Sequence, residues 1–258
     1  MEVISAIARN VAEDSGNPLH RPEVAAELGL SAPPIAGMTT IDYAAAALLK
    51  AWHGQWPSRA GLDCRLLRPI GSGAEIHLTI DELPAEARCT ITEAGEAGAS
   101  PLAVVSGWTT GSGLMAPWAT APEGTCEKRP PDTLVAPLRL GSWGVQDARA
   151  MNDEHLVEMA SVCGASTLAD FCSQDLLSPG ALIDIANQVV MANIQTGIWT
   201  HARSRLQYHD HIRVEDVLTA CSLVTEVRTH LKGLLVVLDI SFLRLGQVAA
   251  RLEHSAIL

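Results

Sequence analysis

No apolar run in this chain is long enough to cross a bilayer. The longest, around Ala44–Leu49 and Leu234–Leu238, fall far short of the ~20 residues a membrane helix needs. The first ten residues, MEVISAIARN, carry no basic group ahead of their apolar ones, so no signal peptide is expected. Positive charge is scarce: 18 Lys and Arg stand against 29 Asp and Glu, for a net charge of −11. That excludes nucleic acid as a general partner, because phosphate contacts need a basic face, while a phosphorylated ligand held by a few local arginines stays open. The six cysteines (Cys64, Cys89, Cys126, Cys163, Cys172, Cys221) form no CxxC pair and no metal-ligand spacing. They read as small buried hydrophobes of a reducing compartment. His209-Asp210-His211 has no further ligands at diagnostic spacing, so it reads as a solvated turn and no metal is expected. The expectation is a cytoplasmic protein with no membrane contact and no cofactor.

What is present is core material. Hydrophobic residues make up 48% of the 258 and charged residues 18%, which suits one large domain or two ordinary ones. Apolar residues at positions 3, 4, 7 and 11 predict a helix over Val3–Val11, broken near Ser15-Gly16. Pro22–Leu28 predicts a short helix stopped by Gly29. From Thr39 or Thr40, good N-cap residues, a helix should run through Ala44–Leu49 to about His53, apolar on nearly all sides and therefore buried. Leu62–Ile70, Glu75–Leu83, Ala87–Glu93 and Leu102–Thr109 are β-prone runs separated by turn residues, an antiparallel meander.

Gly111–Gly144 is rich in Pro, Gly and Thr without periodicity and reads as a linker. The order then repeats. A helical segment is expected at Asp153–Cys163, and Ser178-Pro179-Gly180 opens an apolar helix from Ala181 to about Gln195. Strands are expected at Thr200–Tyr208, Ile212–Val227, Leu234–Phe242 and Val248–Ile257. Ile41-Asp42-Tyr43-Ala44 is echoed by Ile183-Asp184-Ile185-Ala186, and Arg65-Leu66 by Arg205-Leu206. Such echoes point to a duplicated unit, with an N-terminal domain over 1–112, a linker over 113–145 and a C-terminal domain over 146–258. The fold class is α+β, each repeat a long buried helix wrapped by an antiparallel sheet.

The chemistry-bearing residues cluster early. Asp14-Ser15-Gly16-Asn17-Pro18-Leu19-His20 is followed by Pro34-Ile35-Ala36-Gly37-Met38. Taken alone, the first run is also an ordinary helix-ending turn. Together the two resemble the signature of the MaoC-like (R)-specific enoyl-CoA hydratase or dehydratase family, approximately S-G-D-x-N-P-L-H followed by P-I-A-H-G-M. The resemblance implies a double hot-dog fold. Two departures stand out: Asp14 lies six residues before His20 where the family's acid lies five before, and the histidine ahead of the glycine is absent, so Ala36 meets Gly37 directly.

The resemblance implies that Asp14 and His20 share one water in acid/base catalysis on an enoyl or 3-hydroxyacyl thioester. Asn17 would orient that water or the loop, and the Gly37 N–H at the start of the buried helix would stabilise the enolate oxygen. Ser15, Pro34, Ile35 and Met38 would contact substrate, with Arg65 and Arg68 near the coenzyme A phosphates; for these arginines ordinary surface solvation is an equal reading. The substrate would be an acyl-CoA or an acyl-carrier-protein thioester, and the two repeats an internal pseudo-dimer that could pair again as a homodimer. In the second repeat, Ala160–Ser166 holds no such motif, so that half is expected to be non-catalytic and to complete the acyl tunnel. Asp42 and Asp184 sit inside apolar helices, where an unpaired carboxylate is costly; a capping or bridging role is favoured over a thioesterase role. Three further readings stay open: a hot-dog thioesterase using Asp42, a non-catalytic acyl-thioester binding module, and a MaoC-like enzyme reassigned to a polyketide or secondary-metabolite step.

Overall fold

The computed structural model describes residues 2–83, 86–95, 98–109, 128–134, 138–143, 147–149, 175–214 and 216–258. In the N-terminal half, strand β1 (Glu2–Ile7) leads through a turn-rich segment and a short helix α1 (Pro22–Glu27) to helix α2 (Gly37–Ala51). Strands β2 (Gly61–Leu66), β3 (Glu75–Leu83), β4 (Glu86–Glu93) and β5 (Ala103–Trp108) follow. After β6 (Leu138–Trp143) and β7 (Asp147–Arg149), the C-terminal half has helix α3 (Pro179–Asn193). It closes with β8 (Thr200–Tyr208), β9 (Val217–His230), β10 (Gly233–Arg244) and β11 (Gln247–Ile257). Among the described residues the strands form one antiparallel sheet in the order β1-β3-β4-β5-β2-β8-β11-β10-β9-β6, with β7 also on β9. The halves join where β2 pairs β8, Leu62 opposite Leu206. The architecture is the expected double hot dog.

The meander falls where turn residues and alternation put it. The first segment does not. Residues 2–7 form a strand and not a helix, paired along β3 from Glu2 opposite Ile80 to Ile7 opposite Glu75. The sheet buries a different set of positions from the one with helical spacing: Ala6 and Ala8 are buried and Ile4 half-buried, while Val3, Ser5 and Ile7 are exposed. The strand's β-branched residues suit that half-buried pleat. Part of the expected linker lies outside the described residues, but 138–143 is strand β6 on the edge of β9. The long β9 edge supplies backbone partners that the segment's local sequence does not reveal. The helical expectation at Asp153–Cys163 lies outside the described residues.

Every residue of α2 from Met38 to Leu49 is buried. The alanine run Ala44–Ala47 lets the sheet approach closely, and Leu48 and Leu49 fill the space beyond. The helix starts at Gly37, earlier than Thr39 or Thr40, and Ala36 at its N-cap offers no side-chain hydrogen bond. Thr40 spends its hydroxyl on the Ala36 carbonyl at 3.3 Å. Helix α3 packs against α2 and begins differently. Ser178 caps it, accepting from the Ala181 N–H at 3.1 Å. Asp42 of α2 then accepts from the Gly180 N–H at 2.6 Å and from the Ser178 hydroxyl at 3.0 Å. Asp42 is 2% exposed, so the carboxylate is buried with its partners supplied by the other half's helix start. Gly180 is required there, because a Cβ would run into that carboxylate.

Asp42→Ala removes an acceptor from two buried donors and should lower unfolding free energy by about 2–4 kcal/mol. Gly180→Ala should also destabilise, by steric conflict with the same carboxylate. Urea denaturation checks both; wild-type midpoints would contradict the account of this junction.

Candidate active site

The loop that carries His20 is held at every turn. Asn17 caps the single 3-10 turn Pro18–His20, accepting from the Leu19 N–H at 3.2 Å. The other end of its amide donates to the Trp199 carbonyl at 2.9 Å, across to the C-terminal half. Both ends of Asn17 are thus used to fix the loop, so of its two expected roles, orienting a water or the loop, these bonds fit the second. Asn10, which sequence reasoning missed, donates to the His20 carbonyl at 2.7 Å. His20 is buried, and its Nδ1 lies 2.9 Å from the Pro34 carbonyl. A carbonyl oxygen only accepts, so Nδ1 carries the proton and the neutral ring keeps its lone pair on Nε2. Burial holds this imidazole below its ordinary pKa, and the Pro34 bond offsets part of the effect. A neutral imidazole with a bare Nε2 is suited to act as a base.

His20 lines a cavity of about 350 Å³ between the two halves. Ser15, Asn17, Pro34, Ile35, Gly37, Met38 and Arg68 line it too. Leu19, Leu66, Ile70 and Met191 make much of the remaining wall apolar. The start of α2 faces this space with no side-chain cap. Uncapped N–H groups and the positive end of a helix suit an acceptor that gains negative charge.

Two expected site residues do not join it. Asp14 is exposed and lines a neighbouring, more open depression with Asn10, Glu13 and Gln188, outside the wall of the His20 cavity; Ser15, Met38 and Asp184 border both. The shift of one residue along a tight loop turns its side chain outward. Arg65 is exposed, pairs with Asp63 at 3.4 Å and is absent from the cavity wall; it points away because adjacent positions of a strand face opposite sides, and Leu66 takes the inward one. Arg68 stays at the cavity, bonded to the Ser100 carbonyl.

The carboxylate that shares the cavity with His20 is Asp184 of α3. Asp42 and Asp184 are each the sixth residue of their helix, so the echo in the sequence was the signal for it. Asp42 closes the start of α3. Asp184 lines the cavity at the start of α2, where Ala36 stands in the place of Ser178 and no hydroxyl closes the turn. Gln188 donates to Asp184 at 2.9 Å, one helical turn on. Asn187 lines the cavity too, and its Oδ1 is buried without a hydrogen-bond partner among the described residues. His201 of β8 also lines the cavity, with burial pushing its pKa down to about 4. No local sequence cue marked Asn187 or His201. Ala160–Ser166 lies outside the described residues. At the far side, Asp210 pairs with Arg244 and His211 bonds the Trp56 carbonyl at 3.1 Å.

No family model matches the sequence, and no curated protein does. Solved structures do match. A double-hotdog protein of Mycobacterium tuberculosis, described as conserved, hypothetical and essential for bacterial survival during infection, aligns with a TM-score of 0.64 at 13% identity, over 99% of this chain and 95% of that one. A MaoC-like dehydratase aligns with a TM-score of 0.61 at 10% identity, over 98% and 95%. A candidate oleoyl thioesterase of Lactobacillus plantarum aligns with a TM-score of 0.53 at 9% identity, over 99% and 96%. Full-length alignment at such identities shows the fold, a double hot dog shared with MaoC-like dehydratases. Among the described residues no helix is long and apolar enough to cross a membrane.

Burial depresses His20, His201 and His254 alike. The unfolded chain protonates these rings near pH ~6.5 while the folded chain resists, so acid favours unfolding. Each ring held neutral adds a slope of about 1.4 kcal/mol per pH unit below that value, for His201 continuing to about pH 4. Thermal melts should show Tm falling steadily from pH 7 to pH 5; a flat Tm over that window would contradict the burial account.

Proposed function

We propose that this protein is an (R)-type enoyl-thioester hydratase or 3-hydroxyacyl-thioester dehydratase whose acid/base pair comes from both halves. The observation that carries this reading is the neutral His20, its Nδ1–H fixed on the Pro34 carbonyl, in one cavity with Asp184 and the uncapped start of α2. In hydration, His20 Nε2 takes a proton from water as the water oxygen bonds C3. The π electrons shift to the thioester carbonyl, and the N–H groups at Gly37 stabilise the enolate oxygen. Asp184 in its acid form then gives a proton to C2. Dehydration runs the same steps backward, and proton exchange with water resets the pair. The substrate is an acyl thioester of coenzyme A or of a carrier protein, its arm leaving the cavity by Arg68.

Thioesterase chemistry through Asp42 loses its support, because that carboxylate is buried in the α3 cap and absent from the cavity wall. A thioesterase that used Asp184 would release free thiol from acyl-CoA, and a simple binding module would do neither reaction.

His20→Ala should abolish loss of the enoyl-thioester absorbance, and Asp184→Asn should lower kcat by ~100-fold or more, in line with loss of a general acid. Asp14→Asn should stay within about three-fold of wild type, as expected for an exposed group outside the cavity. Steady-state assays over short, long and branched enoyl-thioesters give the answer. Full activity in Asp184→Asn, or its loss in Asp14→Asn, would reverse the assignment of the carboxylate.

A further inference from the structure

Gly37 is pressed from the side by the other half. A Cβ at that position would stand 2.5 Å from His201 Nδ1 and 2.5 Å from Leu66 Cδ1. The close approach of an imidazole, and not only of a ligand, is what requires glycine here. His201 is itself held. Its Nε2 lies 2.9 Å from the Ser204 hydroxyl, which lies 3.1 Å from His254 Nδ1. Ser204 and His254 are fully buried, and the two rings stack loosely with centroids 4.5 Å apart.

A serine hydroxyl has one proton to donate and two lone pairs to accept with, so Ser204 donates at most one of these two bonds. The two rings therefore cannot both turn a bare nitrogen towards it. Beside the positive start of a helix, Nδ1 favours a lone pair over an N–H. His201 Nε2–H then donates to Ser204, which leaves the Ser204 proton available for His254 Nδ1. Among the described residues, neither His201 Nδ1 nor His254 Nε2 has a hydrogen-bond partner. An apolar side chain of similar size would fill the same space without leaving buried polar atoms unpaired, so packing alone does not account for the chain of three.

The placement does. His20 grips the Pro34 carbonyl from one side and His201 abuts Gly37 from the other. The four residues that lead into α2 are thus bracketed by one imidazole from each half. The resembled motif has a histidine directly before this glycine; here an imidazole reaches the same glycine from β8.

We propose that His201 is a positioning residue: held by Ser204 and His254, it sets the first turn of α2, and so the Gly37 N–H, against the ligand's carbonyl. This rests on reading the cavity as a thioester site. Displacement of an aligned donor by about 1 Å costs up to ~100-fold in rate with little change in binding.

The test compares His201→Ala, His201→Asn and Ser204→Ala with wild type in two measurements. Kinetics with an enoyl-CoA should show kcat lowered ~10–100-fold in His201→Ala at a KM within about three-fold. Asn sets an acceptor near the Nδ1 position and should recover most of the rate, while Ser204→Ala should fall between. Unchanged kcat, or a raised KM at unchanged kcat, overturns the proposal. The second readout needs no turnover: the backbone amide resonance of Gly37 on addition of a saturated acyl-CoA. A shift in wild type that is reduced in His201→Ala supports the proposal, and an equal shift, or none, in both overturns it. Absence of wild-type turnover counts against the reaction assigned above, and the amide shift then decides the role of His201 by itself. If His201→Ala does not fold, His201→Asn and Ser204→Ala carry both measurements.

Discussion

The structure depends on a difference between two helix starts. At α3, a serine and an aspartate from the facing helix take up the free N–H groups, and a buried carboxylate that would otherwise be costly is fully engaged. At α2, the cap position is alanine and the corresponding aspartate looks onto a cavity. Duplication brings the two helices together, and the closed end fixes their relative position. The open end keeps the positive pole of a buried helix available. A site between the halves is the result of pairing a satisfied end with an unsatisfied one.

That arrangement draws on both halves. The N-terminal half supplies the base of the proposed reaction, its ring oriented by a backbone carbonyl and its loop tied to Trp199 of the other half through Asn17. The C-terminal half supplies Asp184 and the imidazole that presses on Gly37. The Asp63–Arg203 pair, bidentate at 2.8 and 2.9 Å, crosses the β2–β8 junction. It is half exposed and of modest energetic worth, but it registers the strands that carry these groups. Burial keeps the imidazoles neutral, which suits a base and keeps positive charge away from the start of α2.

Much of this was legible in the sequence. The meander strands, the short α1 ending at Gly29 and the α3 start at Ser178-Pro179 are local signals, and the structure has them. The NPLH and PIAGM motifs led to the cavity through His20 and Gly37. The first strand was not legible, because the apolar residues at 3, 4 and 7 match a helical period, whereas the face the sheet covers is Ile4, Ala6 and Ala8, which only pairing with β3 selects. Thr39 and Thr40 are good caps by composition, yet Gly37 begins α2. Adjacency in the motif points to Asp14, whereas the carboxylate on the cavity wall, Asp184, lies far along the chain and is marked in the sequence only by the echo between Ile41-Asp42 and Ile183-Asp184. Nothing local marked His201: its contact with Gly37 exists only once β2 and β8 pair.

The most direct measurement is a crystal structure with a saturated 3-hydroxyacyl-CoA bound. The account predicts the thioester oxygen within ~3 Å of the Gly37 N–H, with the C3 hydroxyl between His20 Nε2 and Asp184. An acyl group seated in the depression beside Asp14, or a thioester turned away from the start of α2, would contradict it.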